Sequence, residues 1–211
     1  MFSSRIRVLG VFGVACVLLS AVAVQASPLA IGQTQFPAIG EPDPTGGVAA
    51  CPTISFPYAT ATFSGTLTTS VLIGDPSNPF PGGLTFTYIL HNDATSSNTN
   101  ARLTTRDWTG FATDASYQIP LSGIAPAYYD RITADVVGFS FAAPPLGAGS
   151  IGPGASSDLL VVQTNATQCV PAIANVIDGA VATVNTWGPA PEPASLAFLA
   201  LGGLALIRRR R

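Results

Sequence analysis

The chain has 211 residues, with nine Arg, no Lys and eleven acidic residues, and is 47 % hydrophobic but only 9 % charged. The near-neutral net charge excludes a basic nucleic-acid binder, and the apolar content excludes a charged disordered chain. Three Cys, one His and one Met leave little material for metal or thiol chemistry.

Charge is unevenly distributed. Arg5, Arg7, Arg208, Arg209, Arg210 and Arg211 lie in the end segments, whereas residues 27–187 hold three Arg and ten acidic residues, a charge of −7. The ends therefore require their own reading before any fold is argued. At the start, Arg5 and Arg7 precede an apolar run over residues 8–24. Val24-Gln25-Ala26 then places small residues at −3 and −1 of a cut after Ala26. This pattern predicts a secretory signal peptide over residues 1–26, with a retained membrane helix as the alternative. Cys16 is not read as a lipidation site, because Gly13 stands where an aliphatic residue is usual.

Residues 27–48 are rich in Pro and Gly without a sustained period and read as a linker. Within them, Glu41-Pro42-Asp43-Pro44-Thr45-Gly46 faintly follows a calcium loop but lacks the third acidic ligand and the distal Glu.

Residues 49–187 carry the signature of a β domain. Residues 60–73 alternate with period 2, with Phe63, Leu67, Val71 and Ile73 on one face and hydroxyl side chains on the other. That predicts a half-buried antiparallel strand, bent at Gly65. A turn cluster follows at residues 75–83, and residues 84–91 alternate again. A short strand is expected at 101–105. Over residues 132–141 the apolar parity switches by one, as a β-bulge would make it do. The run Leu159-Leu160-Val161-Val162 reads as a strand buried on both faces. Residues 173–184 read as a hairpin with Asp178-Gly179 in a type I′ turn. Seven to nine strands and no helical period predict an all-β single domain, an antiparallel β-sandwich. Leu84-Thr85-Phe86-Thr87-Tyr88 with Asn92-Asp93 resembles the early strands of Ig-like surface repeats, over about 20 residues.

Cys51 and Cys169 are the Cys left after removal of residues 1–26. An even number in an exported chain predicts a disulfide between them. It would close a loop worth about 4–5 kcal/mol in the chain-entropy model.

Little points to catalysis, and no catalytic, cofactor or metal residue is expected. His91 is the single side chain of the type that titrates near neutral pH, and it falls at a strand end. No Gly-x-Ser-x-Gly turn occurs. Gly147-Ala148-Gly149-Ser150-Ile151-Gly152 matches G-x-G-x-x-G, but Pro153 and Gly154 follow it rather than a helix, so it reads as a turn. A glycosidase pair would consist mostly of Asp, since Glu41 is the one Glu in residues 27–187. Among the aromatics Trp108, Phe111, Tyr117, Tyr128 and Tyr129, Trp108 is the candidate exposed platform for a glycan ring, because Arg106 and Asp107 flank it. The hydroxyl face of Thr60, Thr62, Thr66 and Thr68 reads as ordinary solvent-facing strand. Asn165-Ala166-Thr167 is a glycosylation sequon by pattern.

The C-terminus reads Pro189-Ala190-Pro191-Glu192-Pro193, then an apolar run over residues 194–207, then four Arg. As a helix the run would span about 21 Å at 1.5 Å per residue, short of the roughly 30 Å hydrocarbon core. Arg208, Arg209, Arg210 and Arg211 would stay on the cytoplasmic side. Pro191-Glu192-Pro193, the apolar segment with Gly202-Gly203 and the terminal Arg cluster resemble the PEP-CTERM sorting signal of Gram-negative bacteria, a tail also labelled as that of ice-binding proteins in some nomenclature. The resemblance covers residues 189–211. It implies processing near Pro191-Glu192-Pro193 by a membrane protease-transpeptidase of the exosortase type. It also implies transient or permanent anchoring by a short transmembrane helix, and a destination at the cell surface or in the extracellular matrix. The expectation is an exported, non-enzymatic protein. The alternatives are a glycan-binding module of the exopolysaccharide matrix and, behind it, a secreted hydrolase.

Overall fold

Hydroxyl chemistry and period 2 together decide where the longest alternating segment becomes a strand. The computed structural model describes residues 28–142 and 150–190. In it the odd positions Gly65, Leu67, Thr69 and Val71 are buried while the even positions 64–72 are half-buried. The alternation therefore divides the two faces as period 2 requires. The strand starts at Ser64 rather than at Thr60, because Thr60 closes a turn. Its Oγ1 accepts the N–H groups of Thr62 (3.2 Å) and Phe63 (3.1 Å), and its own N–H donates to Phe63 O (2.8 Å). Such local side-chain bonds compete with the ladder.

Twelve strands follow in chain order: β1 (Gln33–Gln35), β2 (Gly40–Glu41), β3 (Val48–Ala59), β4 (Ser64–Ile73), β5 (Leu84–Asn92), β6 (Arg102–Thr105), β7 (Thr113–Gln118), β8 (Tyr128–Arg131), β9 (Val137–Ser140), β10 (Leu160–Thr164), β11 (Cys169–Asp178) and β12 (Ala180–Pro189). They form two six-stranded sheets, ordered β1-β8-β9-β6-β11-β12 and β2-β7-β10-β5-β4-β3. All neighbours are antiparallel except β2 and β7, which run parallel. No helix occurs among the described residues. Leu67, Phe86, Tyr88, Leu160 and Val162 of one sheet share a single core with Leu103, Phe139, Val176 and Val184 of the other. Leu160, Val161 and Val162 of the apolar run indeed lie in an inner strand, with β10 buried at every position between β7 and β5, whereas Leu159 precedes the strand and is half-buried.

Three local expectations are corrected. Residues 28–48 are not a free linker: β1 pairs with β8, β2 pairs with β7, and Leu29 is buried with its N–H on Thr113 O at 2.8 Å. Strands of two or three residues between prolines are too short to show a period. The parity switch at 132–141 is not a bulge: residues 132–136 connect β8 to β9, and each strand has its own parity. The register shifts lie instead in β3, between Ala49 and Cys51 and between Cys51 and Ile54. The β11–β12 turn is not type I′, since Asp178 does not have positive φ. Asp178 pairs with Ala180, and Gly179 (φ 67°) sits alone at the apex. Gly65 marks a close approach, because a Cβ there would overlap the His91 carbonyl and the Tyr58 hydroxyl, which are themselves hydrogen-bonded at 2.7 Å.

The signal-peptide expectation for residues 1–26 and the membrane-helix expectation for residues 194–207 fall outside the described residues.

Candidate functional site

The edge from which the C-terminal tail departs is built by β11, β12 and β3. Cys169 lies opposite Pro189 at the open end of the β11–β12 ladder. A disulfide joins Cys169 to Cys51 of β3, across the two sheets, with Cα atoms 6.6 Å apart. Two further bonds cross the same seam. Thr69 Oγ1 and Thr186 Oγ1 meet at 2.7 Å in a buried pair, and Trp187 Nε1 donates to Pro52 O at 2.8 Å. Pro189 is buried, and the Ala190 N–H donates to Gln168 O at 2.9 Å. Folded structure thus continues to the residue before Pro191. Pro191, Glu192, Pro193, Arg208, Arg209, Arg210 and Arg211 lie outside the described residues.

Trp108 is not a surface platform. Its side chain is fully buried, edge-on to Phe86 with ring centroids 5.3 Å apart, and its indole N–H donates to Thr105 Oγ1 at 3.0 Å. The backbone of Asp107 at φ 72° turns the chain there. The Arg131 guanidinium, itself buried, donates to the carbonyls of Trp108 (2.8 Å), Phe111 (2.9 Å) and Ala134 (3.0 Å). The flanking charges that suggested exposure belong to the turn and not to the ring. Tyr129 is buried as well, while Phe111, Tyr117 and Tyr128 are half-buried.

His91, near the end of β5, pairs with Ser156 in an isolated bridge. Its Nδ1 lies 2.9 Å from Ser156 Oγ, and its Nε2 is 4.0 Å from Asp93 Oδ1. Asp93 Oδ2 in turn accepts from Ser64 Oγ at 2.7 Å. Ser, His and Asp therefore stand in sequence, a juxtaposition the spacing of residues 91, 93 and 156 gave no means to foresee. An oxyanion needs free backbone donors beside the nucleophile, and the Ser157 N–H already donates to Leu90 O at 2.8 Å. Nearby, a shallow depression of about 120 Å³ is lined by hydroxyls of Thr60, Thr62, Ser64, Thr95, Ser96 and Ser97. Thr60 and Thr62 belong to this turn and not to the strand face of Thr66 and Thr68, so the four do not form one flat array.

A cluster of carboxyl groups forms around two residues of the segment expected to be a linker, Glu41 and Asp43. Glu41 on β2 and Asp43 just beyond it pack toward Asp114 of β7 and Asp75 of the β4–β5 connection. Asp43 is buried, and its Oδ2 has no hydrogen-bond partner. Burial pushes Glu41 up to about 8, helped by the Asp43 carboxyl and by Asp114. Burial likewise raises Asp43 and brings Asp114 to about 7, against a single opposing bond from the Ala115 N–H. For Asp75 burial acts upward too, but its donors outweigh it and hold it below the usual carboxylate range. Those donors are Ser77 N–H and Oγ, Thr85 Oγ1 and Gln163 Nε2. Among the described residues, no three His, Cys, Asp or Glu side chains converge as a metal centre. An acidic residue between two prolines, Asp43, with Glu41 two positions before it, was the carboxyl cluster's only visible trace in the sequence.

Of the remaining motifs, Gly147 and Gly149 lie outside the described residues, and the chain after Gly152 turns at 153–154 without a helix. Asn165 is exposed, and its Oδ1 accepts the Ala112 N–H at 2.8 Å.

Comparison with known proteins gives one match. Residues 189–211 fit the family model of the PEP-CTERM protein-sorting motif. No curated protein matches the chain, and no solved structure matches it.

Proposed function

We propose that this chain is a non-enzymatic exported protein whose β domain is displayed at the cell surface or in the extracellular matrix, delivered through its PEP-CTERM signal. The observation that carries the reading is the sorting motif at residues 189–211, which implies recognition by a membrane enzyme of the exosortase type. The signal-peptide pattern of residues 1–26 supports export at the other end. The Cys51–Cys169 bridge suits an oxidising compartment outside the cytoplasm. Two sheets around one core favour a β-sandwich. The non-enzymatic part is supported by the engaged Ser157 N–H beside Ser156, a backbone donor that an oxyanion there would use. A glycan-binding role has lost its motivating residue, since Trp108 is in the core.

Fractionation of the producing cell tests the proposal. The expected result is a domain that protease or a membrane-impermeant label reaches from outside intact cells. Replacing Pro191-Glu192-Pro193 with three Ala should leave the domain held at the inner membrane. An unchanged distribution in that variant would overturn the sorting claim.

A further inference from the structure

The folded domain reaches the processing region without a spacer. Thr186, Gly188 and Pro189 are buried, Trp187 is tied to Pro52, and Ala190 donates the last described ladder bond one residue before Pro191. A protease reads its substrate as an extended strand over several residues, through main-chain hydrogen bonds. Residues on the N-terminal side of a cut near Pro191-Glu192-Pro193 already spend their inward-facing main-chain bonds on β11, which holds the strand in the sheet and out of a cleft that must surround it. They also lie beside the cross-sheet disulfide, which restrains the start of β11.

We infer that the fold gates its own processing: the membrane enzyme cuts chains whose last β12 residues have released from β11, and the seam of Thr69–Thr186, Trp187–Pro52 and Cys51–Cys169 sets how often that happens. This rests on the sorting function proposed above. In the step itself one backbone amide breaks. Its carbonyl carbon passes to a water or an amine acceptor, and the proton lost by that nucleophile ends on the nitrogen of the departing tail. When opening and closing are fast relative to cutting, the rate follows the population of the open end. The seam is then a positioning element for the reaction rather than a part of its chemistry.

The test is pulse-chase of the full chain in its producing cell, following loss of the tail by mass. A six-residue Gly/Ser spacer inserted between Ala190 and Pro191 should raise the rate at least about tenfold, because the cut no longer requires opening. Trp187→Phe removes one hydrogen bond while keeping an aromatic ring, and should raise the rate about fivefold. In the spacer chain Trp187→Phe should change nothing, an outcome that general destabilisation would not produce. Equal rates with and without the spacer would overturn the gate while leaving sorting intact. Retention of residues 191–211 in every chain would overturn both the processing and the gate.

Discussion

Thr69 of β4 and Thr186 of β12 share a buried 2.7 Å hydrogen bond that ties one sheet to the other. Both hydroxyls are almost fully sequestered, so removing one strands its partner. Thr186→Val should destabilise the domain by about 1–3 kcal/mol, the cost of an unpaired buried hydroxyl. Thr69→Val with Thr186→Val should cost less than the two single changes added together. Urea unfolding of the four chains measures this, and strict additivity would contradict the coupling.

The disulfide crosses the same seam with a sequence separation of 118 residues. Cys51→Ser with Cys169→Ser should lower stability by about 4–5 kcal/mol, through the greater freedom of the unfolded chain. Denaturant midpoints with and without the bridge check it. A loss below about 1 kcal/mol would show that the unfolded chain gains little freedom.

The carboxylate cluster makes stability depend on pH in a defined direction. Glu41 and Asp114 are raised by burial, to about 8 and about 7, so the folded state holds their protons longer than the unfolded chain does. Their contribution is complete below the ordinary carboxylate range, near pH 4, and is lost as pH rises through 7–8. Asp75 is lowered by its donors, and its contribution is lost as pH falls below that range. Melting temperature should therefore fall from mildly acidic pH toward pH 8, and Glu41→Gln with Asp114→Asn should flatten that limb. An unchanged slope in the double variant would assign the pH dependence to other groups.

Trp108 and Arg131 form one buried unit, with the guanidinium holding the carbonyl of the residue whose ring fills the core. Trp108→Ala should cost about 3–5 kcal/mol. Arg131→Met should cost about 3 kcal/mol, since it abandons three carbonyl acceptors and the Thr113 hydroxyl together. Both are read from chemical denaturation. A Trp108→Ala chain of unchanged stability would contradict the burial of the ring.

The parts legible in the sequence are those where one signal acted alone. Period 2 over residues 64–72 had no competitor, and it marked β4 face by face. The apolar run of β10 needed only its length and its β-branched residues. The tail motif and the two Cys were equally direct. Legibility failed where tertiary partners decided the outcome. Trp108 directly follows two charged residues, yet its ring is drawn inward by Phe86 and Thr105, which precede it in the chain by 22 and 3 positions. The segment of β1 and β2 takes its structure from β8 and β7, some 80 to 100 residues on, and carries too few residues to announce it. The Glu41–Asp43–Asp114 cluster depends on that docking and was invisible for the same reason.

The most direct test of the central claim is the intact mass of the protein recovered from its producing cell. The account predicts a chain that has lost residues 1–26 and has been cut near Pro191-Glu192-Pro193, with Arg208, Arg209, Arg210 and Arg211 gone and the Cys51–Cys169 bridge intact. A mature chain that still carries all of residues 191–211 would contradict it.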